Sequence, residues 1–522
     1  MRVGNRLLLF LLGITLLVSL FGQAASAAKP STISIYLDGN KINSDVPPFI
    51  TKSNVTMVPL SVISKNLGAG VSWVQSTKTA TIKYEGLTLS MTIGQQYALV
   101  NGSQVALDAT VQSISGRVMV PIRFVSEQMK LLVTWVQSAQ TIKLQRQNSP
   151  EVPSDKSLRG AWVSTVYNLD WPSDKSYGKS QQQQLEYIQL LDELQGMGLN
   201  TVFVQLRPAA DSFYPSDLVP WSKYITGKQG VAPDYDPLAF MIEETHRRGM
   251  EFHAWFNPFR ASMDAKIENL ASNHVAITHP DWIVKSGTIS YINPGIPEAR
   301  QHIIDVILEV VNKYEIDGVH LDDYFYPSNG VFADDATYLA YNANKLTNKA
   351  DWRRDNINQF VEQLGKSIHK AKPQVKFGIS PFGVWRNQDV DATGSDSKAS
   401  VTAYDSMYAD VRTWIKSEWV DYIVPQIYWS MSLKIAQYDK LVDWWANEVR
   451  GTNVDLYIGH APYKLGTKEA GWDNAQEIIN QLKYNEKLVE VKGDIYFSAK
   501  DLRRNPLGLV PLLKAYYQVT GS

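Results

Sequence analysis

From Leu158 onward the chain alternates short apolar runs with longer amphipathic stretches. Eight runs read as strands, at 159–165, 201–207, 251–257, 318–322, 376–380, 422–428, 455–459 and 494–498. Helical periodicity fills the intervals, for example over 182–197 and 297–314. In the second of these, Ile303, Ile307, Val310, Val311 and Tyr314 form one apolar stripe. Strand–helix alternation repeated eight times predicts an α/β fold of the (β/α)8 TIM-barrel type over residues 158–522. A doubly wound open sheet is the alternative. No Gly-rich phosphate loop follows the first strand, which weakens a nucleotide-binding version of it.

The first part of the chain has a different rhythm. Residues 30–147 are short β-type runs separated by Gly, Asn and Ser. They contain a duplication. Met57-Val-Pro-Leu60 returns as Met119-Val-Pro-Ile122, and Val71-Ser-Trp-Val-Gln-Ser76 returns as Val133-Thr-Trp-Val-Gln-Ser138. Both pairs are 62 residues apart (121 − 59 and 135 − 73). Each copy reads as a strand, a short helix after the Val-Pro, and a strand pair around the Trp, so this is a small duplicated α+β domain. Residues 148–157 are a polar Pro/Ser linker. Ahead of the duplication, Arg2 and Arg6 precede an apolar run from Leu7 to Phe21 and an Ala25-Ser26-Ala27 site. That arrangement predicts a signal peptide over 1–27 and a secreted protein, with no membrane attachment after cleavage.

Charge and composition narrow the chemistry. Lys and Arg number 51 against 52 Asp and Glu, which gives no reason to expect nucleic acid as a partner. There is no cysteine, so disulfides, thiolate nucleophiles and Cys-ligated metals are excluded. No close His spacing suggests another metal site, and no cofactor is expected. No Gly-x-Ser-x-Gly elbow supports a serine hydrolase. The 15 Trp and 26 Tyr suit either large cores or sugar-stacking surfaces.

Reading the barrel strands with period two separates their faces. The segment 317–327, Asp-Gly-Val-His-Leu-Asp-Asp-Tyr-Phe-Tyr-Pro, sends Val319 and Leu321 outward and His320 and Asp322 inward, then reaches Asp323. Adjacent carboxylates at the end of a buried strand need pairing, solvent or chemistry to justify them. The same reading turns Gln205, Arg207, His253, Trp255, Asn257, Gln426 and Tyr428 inward. Their polarity rises toward the strand C-termini, where barrels of this type carry their sites.

Trp162, Gln205-Leu-Arg-Pro-Ala-Ala-Asp211, Phe252-His-Ala-Trp-Phe-Asn-Pro-Phe-Arg260, the segment 317–327 and Pro425-Gln-Ile-Tyr-Trp429 together resemble the glycosyl-hydrolase-like family ten domain. Residues 30–147 resemble the copper amine oxidase N-terminal-like domain, although they hold no His and no Cys to bind copper. The first resemblance implies a secreted glycoside hydrolase acting on a polysaccharide, some relatives being regarded as cutting bacterial cell-wall glycan strands. The N-terminal domain is then expected to support the enzyme or attach it to the cell wall. Asp322 becomes the nucleophile or charge stabiliser, similar in position to the α-amylase nucleophile, with His320 in the place of that enzyme's basic residue. The second carboxyl is not evident. The segment after strand five, 378–387, has no acid, and in the chitinase pattern of strand four His320 and Tyr324 replace an Asp and the final Glu. Asp323 and Asp211 are the candidates for acid and base, with Asp389 and Asp501 behind them. Arg207, His253, Asn257, Arg260 and His320 are expected to position sugar or tune the carboxyls. Gln426 is expected to contact substrate, and Trp255, Tyr324, Trp385, Tyr428 and Trp429 to offer sugar platforms. A glycan-binding protein or surface scaffold on a silent barrel is the competing expectation.

Overall fold

The structure is a computed structural model that describes residues 33–37, 40–53, 55–67, 69–84, 86–129, 131–136, 141–146, 157–263, 267–328 and 330–520. The expected signal peptide and nearly all of the expected linker lie outside the described residues. The chain divides into two compact units, 1–152 and 153–522.

In the first unit the duplication is visible as structure. One copy runs Thr56–Pro59 strand, Leu60–Leu67 helix, then Gly70–Val74 and Thr79–Tyr84 strands. The other runs Arg117–Pro121, Ile122–Gln128, Leu131–Val136 and Thr141–Arg146. The leading strands of the two copies pair antiparallel with Val58 opposite Val120, so equivalent residues face each other across a local dyad. Burial of Val58, Leu60, Ile82, Leu89, Val120 and Ile142 gives the unit its own core.

The second unit is a closed barrel of eight parallel strands. They are β1 (Leu158–Val163), β2 (Thr201–Arg207), β3 (Glu251–Phe256), β4 (Gly318–Leu321), β5 (Lys376–Ile379), β6 (Tyr422–Ile423), β7 (Asp455–His460) and β8 (Val491–Tyr496). Outward residues such as Val202, Val204, Phe252, Val319 and Leu321 pack on surrounding helices. The helix Pro297–Lys313 buries Ile303, Ile304, Ile307, Val310 and Val311 against them, each such side chain contributing about 1.5–3 kcal/mol. Where strand six was expected to run to Tyr428, regular pairing stops at Ile423. Pro425 has no N–H to give a ladder, and the strand's continuation survives only as bridges from Gln426 to Phe382 and Gly459.

The lumen is filled, not open. Leu158, Trp162, Phe203, Trp255, Tyr422, Val424, Tyr457 and Ile495 form one inner cluster. Two glycines make room for its rings. A Cβ on Gly318 would overlap the His253 ring, and one on Gly378 the Tyr422 ring. Among the described residues no helix is long and apolar enough to cross a membrane.

Candidate functional site

The mouth of the barrel gains its charge where β4 ends. The strand stops at Leu321 and the chain bends at Asp323. Successive side chains diverge on a strand, but the bend keeps both carboxyls at the mouth. Asp322 is fastened from the β3 side, where Asn257 Nδ2 donates to its Oδ2. Asp323 is fastened from the β6 side by the Gln426 side chain, which also donates to the Ser380 carbonyl at 3.0 Å. Asp322 and Asp323 are only 6 % and 4 % exposed, so both carboxyls have lost most of their water.

That burial sets their acidity. It pushes Asp322 up to about 6, against the nearby Arg260 guanidinium and N–H donors from Tyr324 and Asn257. Burial again, followed by the Asp322 charge, pushes Asp323 up to about 7. Two such neighbours titrate as a pair, with the first proton leaving the Asp322 side. Near neutral pH the pair holds one ionised and one protonated carboxyl, the combination that glycosidic bond cleavage uses.

The Asn257 amide is oriented by a relay that begins two strands away. Gln205 Oε1 accepts from the backbone N–H groups of Thr165 and Val166, both at 2.9 Å. A backbone N–H only donates, so the Gln205 amide has one permitted orientation. Its Nε2 therefore donates to Asn257 Oδ1 at 2.5 Å, which turns Asn257 Nδ2 toward Asp322. Gln205 was legible as lumen-facing, but nothing in its spacing marked it as the group that orients Asn257.

The structure gathers Asn257, Arg260, Tyr324, Gln426 and Tyr428 around the two carboxyls. Arg260 stands on a short strand, Arg260–Ser262, of a three-stranded excursion after β3. Its guanidinium lies 5.5 Å over the Tyr324 ring, and Nη1 donates to the Pro208 carbonyl at 3.4 Å. Tyr324 is 41 % exposed and offers an aromatic wall. Tyr428 meets Tyr463 edge-on at 5.9 Å, and burial, Tyr463 and the Asp323 charge hold its hydroxyl well above its usual range. Trp429 meets Phe382 edge-on at 5.9 Å.

Other expected site residues are placed elsewhere. His253 and His320 are fully buried in the lumen and do not line a sugar-contacting rim. His253 Nδ1 lies 2.9 Å from the Tyr422 hydroxyl and Nε2 3.2 Å from Glu251. His320 Nε2 accepts from the Trp162 indole at 3.0 Å. Burial and then His253 hold its ring far below the usual range, so it is neutral. Trp255 is 5 % exposed and belongs to the same inner cluster, level with Gln205 and His320.

Arg207 does not pair with Asp322. Fully buried, it donates from Nη1 to the carbonyls of Asn257 at 2.7 Å and Pro258 at 2.9 Å, so it braces the backbone that carries Asn257. Asp211 is turned to its own loop, accepting from Ala209 N at 3.0 Å. It lines a separate cavity of about 680 Å³ with Lys223, Gln229, Ser262 and Asn269. Asp389 is exposed. Asp501 shares the Ser498 hydroxyl with Asp170 instead. Asp170, missed in the sequence, is half-buried, and desolvation pushes its carboxyl up to about 6. Three donors from Ser164, Ser498 and Lys500 make it a clamp between the ends of β1 and β8. Trp385 is buried and stacks on Trp444 at 5.6 Å.

Residues 157–475 match the family described as glycosyl hydrolase-like 10. Residues 36–144 match the copper amine oxidase N-terminal domain. That stretch contains neither His nor Cys, so its donor set does not fit copper. The chain is 53% identical over 361 residues to glycosyl hydrolase YngK of Bacillus subtilis, covering 68% of this chain and 71% of that protein. It is 42% identical over 367 residues to glycosyl hydrolase DigH of Escherichia coli K12, covering 66% of this chain and 83% of that protein. Among solved structures, the PgaB (BpsB) glycoside hydrolase domain of Bordetella bronchiseptica is similar at 12% identity. The TM-score is 0.48, covering 69% of this chain and 98% of that one.

Proposed function

The chain belongs to the glycosyl hydrolase-like 10 family, and from that premise we propose that it hydrolyses glycosidic bonds of a polysaccharide, namely bacterial cell-wall glycan strands. The observation that carries the reading is the buried Asp322–Asp323 pair at the barrel mouth, split toward one ionised and one protonated carboxyl. Arg260, Asn257 and Gln426 hold that pair, while Tyr324, Tyr428 and Trp429 offer faces for pyranose C–H groups.

We infer also that the protein is exported, from the charged start, apolar run and Ala-x-Ala site of residues 1–27. Its duplicated domain then serves attachment to the wall. The test is the appearance of new reducing ends when the protein is incubated with peptide-free glycan strands. Asp322→Asn and Asp323→Asn should each reduce the rate by roughly 10²–10⁴-fold. A folded Asp322→Ala variant that cleaves at the full rate would sink the assignment. Retention of strands without any new reducing ends would favour a binding protein.

A further inference from the structure

Taking the barrel as a hydrolase of cell-wall glycan, we propose that the attacking nucleophile belongs to the substrate. It is the carbonyl oxygen of a 2-acetamido group on the sugar in the site, with Asp322 holding that group's N–H and Asp323 serving as general acid and base. The substrate class is thereby narrowed to glycans of N-acetylated 2-amino sugars.

The placement of the carboxyls points there. An enzyme that uses two carboxyls of its own sets them on opposite faces of the anomeric carbon, about 5 Å or about 6.5–9.5 Å apart. Different strands normally supply them. Here both come from one corner of chain, at consecutive positions after β4. The neighbouring strand ends contribute neutral groups: Asn257 after β3, Ser380 after β5 and Gln426 after β6. The charges acting most strongly on Asp322 and Asp323 are Arg260 and each other. Among the largest influences on the pair, the only other carboxylate is its own neighbour.

Asp322 also has a free atom. Its Oδ2 takes the Asn257 amide, while Oδ1 is buried with no hydrogen bond of good geometry, the Tyr324 N–H lying near the carboxyl without closing one on that oxygen. An unpaired, largely desolvated carboxylate oxygen is a strong acceptor, and an acetamido N–H is a donor of the right kind. The Gln205–Asn257 relay fixes which oxygen is taken and which is left. Asp323, bound to Gln426 and raised by its neighbour's charge, keeps a proton to give.

The step balances with groups already named. The acetamido oxygen bonds to C1 as the C1–O glycosidic bond breaks, and the departing oxygen takes the Asp323 proton. The resulting oxazolinium ring is cationic and is stabilised by ionised Asp322 at its N–H. Asp323, now a carboxylate, removes a proton from water, whose oxygen attacks C1 and reopens the ring. The acetamido group is restored and configuration at C1 is retained.

The experiment uses peptide-free glycan strands in four forms: native, de-N-acetylated, re-acetylated and re-acylated with trifluoroacetyl, whose carbonyl is a poor nucleophile. Native and re-acetylated strands should be cut alike. Trifluoroacetylated strands should be cut at least about 100-fold more slowly, since the positioned nucleophile is weakened, and free-amine strands not at all. The new reducing end, followed by proton NMR at early times, should carry the configuration of the bond that was cut. Cleavage of trifluoroacetylated strands at an unchanged rate, or an inverted product, would overturn this mechanism and leave the hydrolase reading standing. Failure to cut native strands would overturn the hydrolase reading and this inference with it.

Discussion

At the scale of single residues, the site is governed by what burial does to two neighbouring acids. Their raised pKa values, about 6 and about 7, predict a narrow bell-shaped activity profile. The rate falls below about 6 as Asp322 takes a proton and above about 7 as Asp323 loses one. The same shifts have a cost in stability. A carboxyl whose folded pKa lies above its unfolded value, about 4, binds more protons folded than unfolded between the two. Its stabilising contribution is complete below about pH 4 and is lost as pH rises toward 7. Asp323→Asn should therefore raise the melting temperature by a few degrees at pH 8 and leave it nearly unchanged at pH 4. Scanning calorimetry at the two pH values checks this, and an equal shift at both would count against a buried, pH-dependent charge. Gln205→Met removes the relay at similar volume. It frees the Asn257 amide to turn, so kcat should fall by roughly tenfold or more with KM little changed, and the acid limb of the profile should move up as Asp322 loses its donor. An unmoved acid limb would show that Gln205 only packs.

At the scale of elements, the alternation of apolar positions was enough to find all eight barrel strands, because outward residues such as Val319 and Leu321 must pack on helices whatever the inner face does. The inner face was less legible. Period two correctly turned His253 and His320 into the lumen, but it does not say how deep a residue lies. Both are sealed by Tyr422, which stands about a hundred or more positions away in sequence. Asp322 was readable as a strand-end acid. That Asp323 stays beside it was not, because it depends on the strand stopping at Leu321. The glycines on β4 and β5 carried a signal of their own. Each is needed for close approach of a ring across the lumen, not for a turn. Gly378→Ala should force the Tyr422 ring from its place and cost about 1–3 kcal/mol by overpacking. The urea midpoint would show this loss, and a midpoint equal to the parent's would mean that the lumen is looser than its contacts indicate.

At the scale of the whole molecule, the two units solve different physical problems. The barrel buries two concentric cores, one between strands and helices and one inside the lumen. The duplicated unit closes a separate core around Val58 and Val120. Among the described residues each core is built from residues of its own unit, the mark of a domain able to fold alone. Cutting the chain within 148–157 should therefore leave a 157–522 fragment that melts cooperatively at the barrel's own transition in the full chain. If the barrel carries the reaction and the duplicated unit carries attachment, the fragment should match the full chain's kcat/KM on soluble, peptide-free strands. On insoluble cell walls it should fall behind, because only the full chain gains the raised local concentration that a second binding unit supplies. The surface of the duplicated unit suits attachment. Val71, Trp73 and Val74 stand exposed on the edge strand Gly70–Val74, and Val71 and Trp73 border a groove of about 480 Å³. Trp73→Ala in the full chain should reproduce the fragment's deficit on cell walls while leaving soluble-strand cleavage intact. Equal rates on both substrates for fragment, variant and full chain would remove attachment from the domain's role and leave it a support.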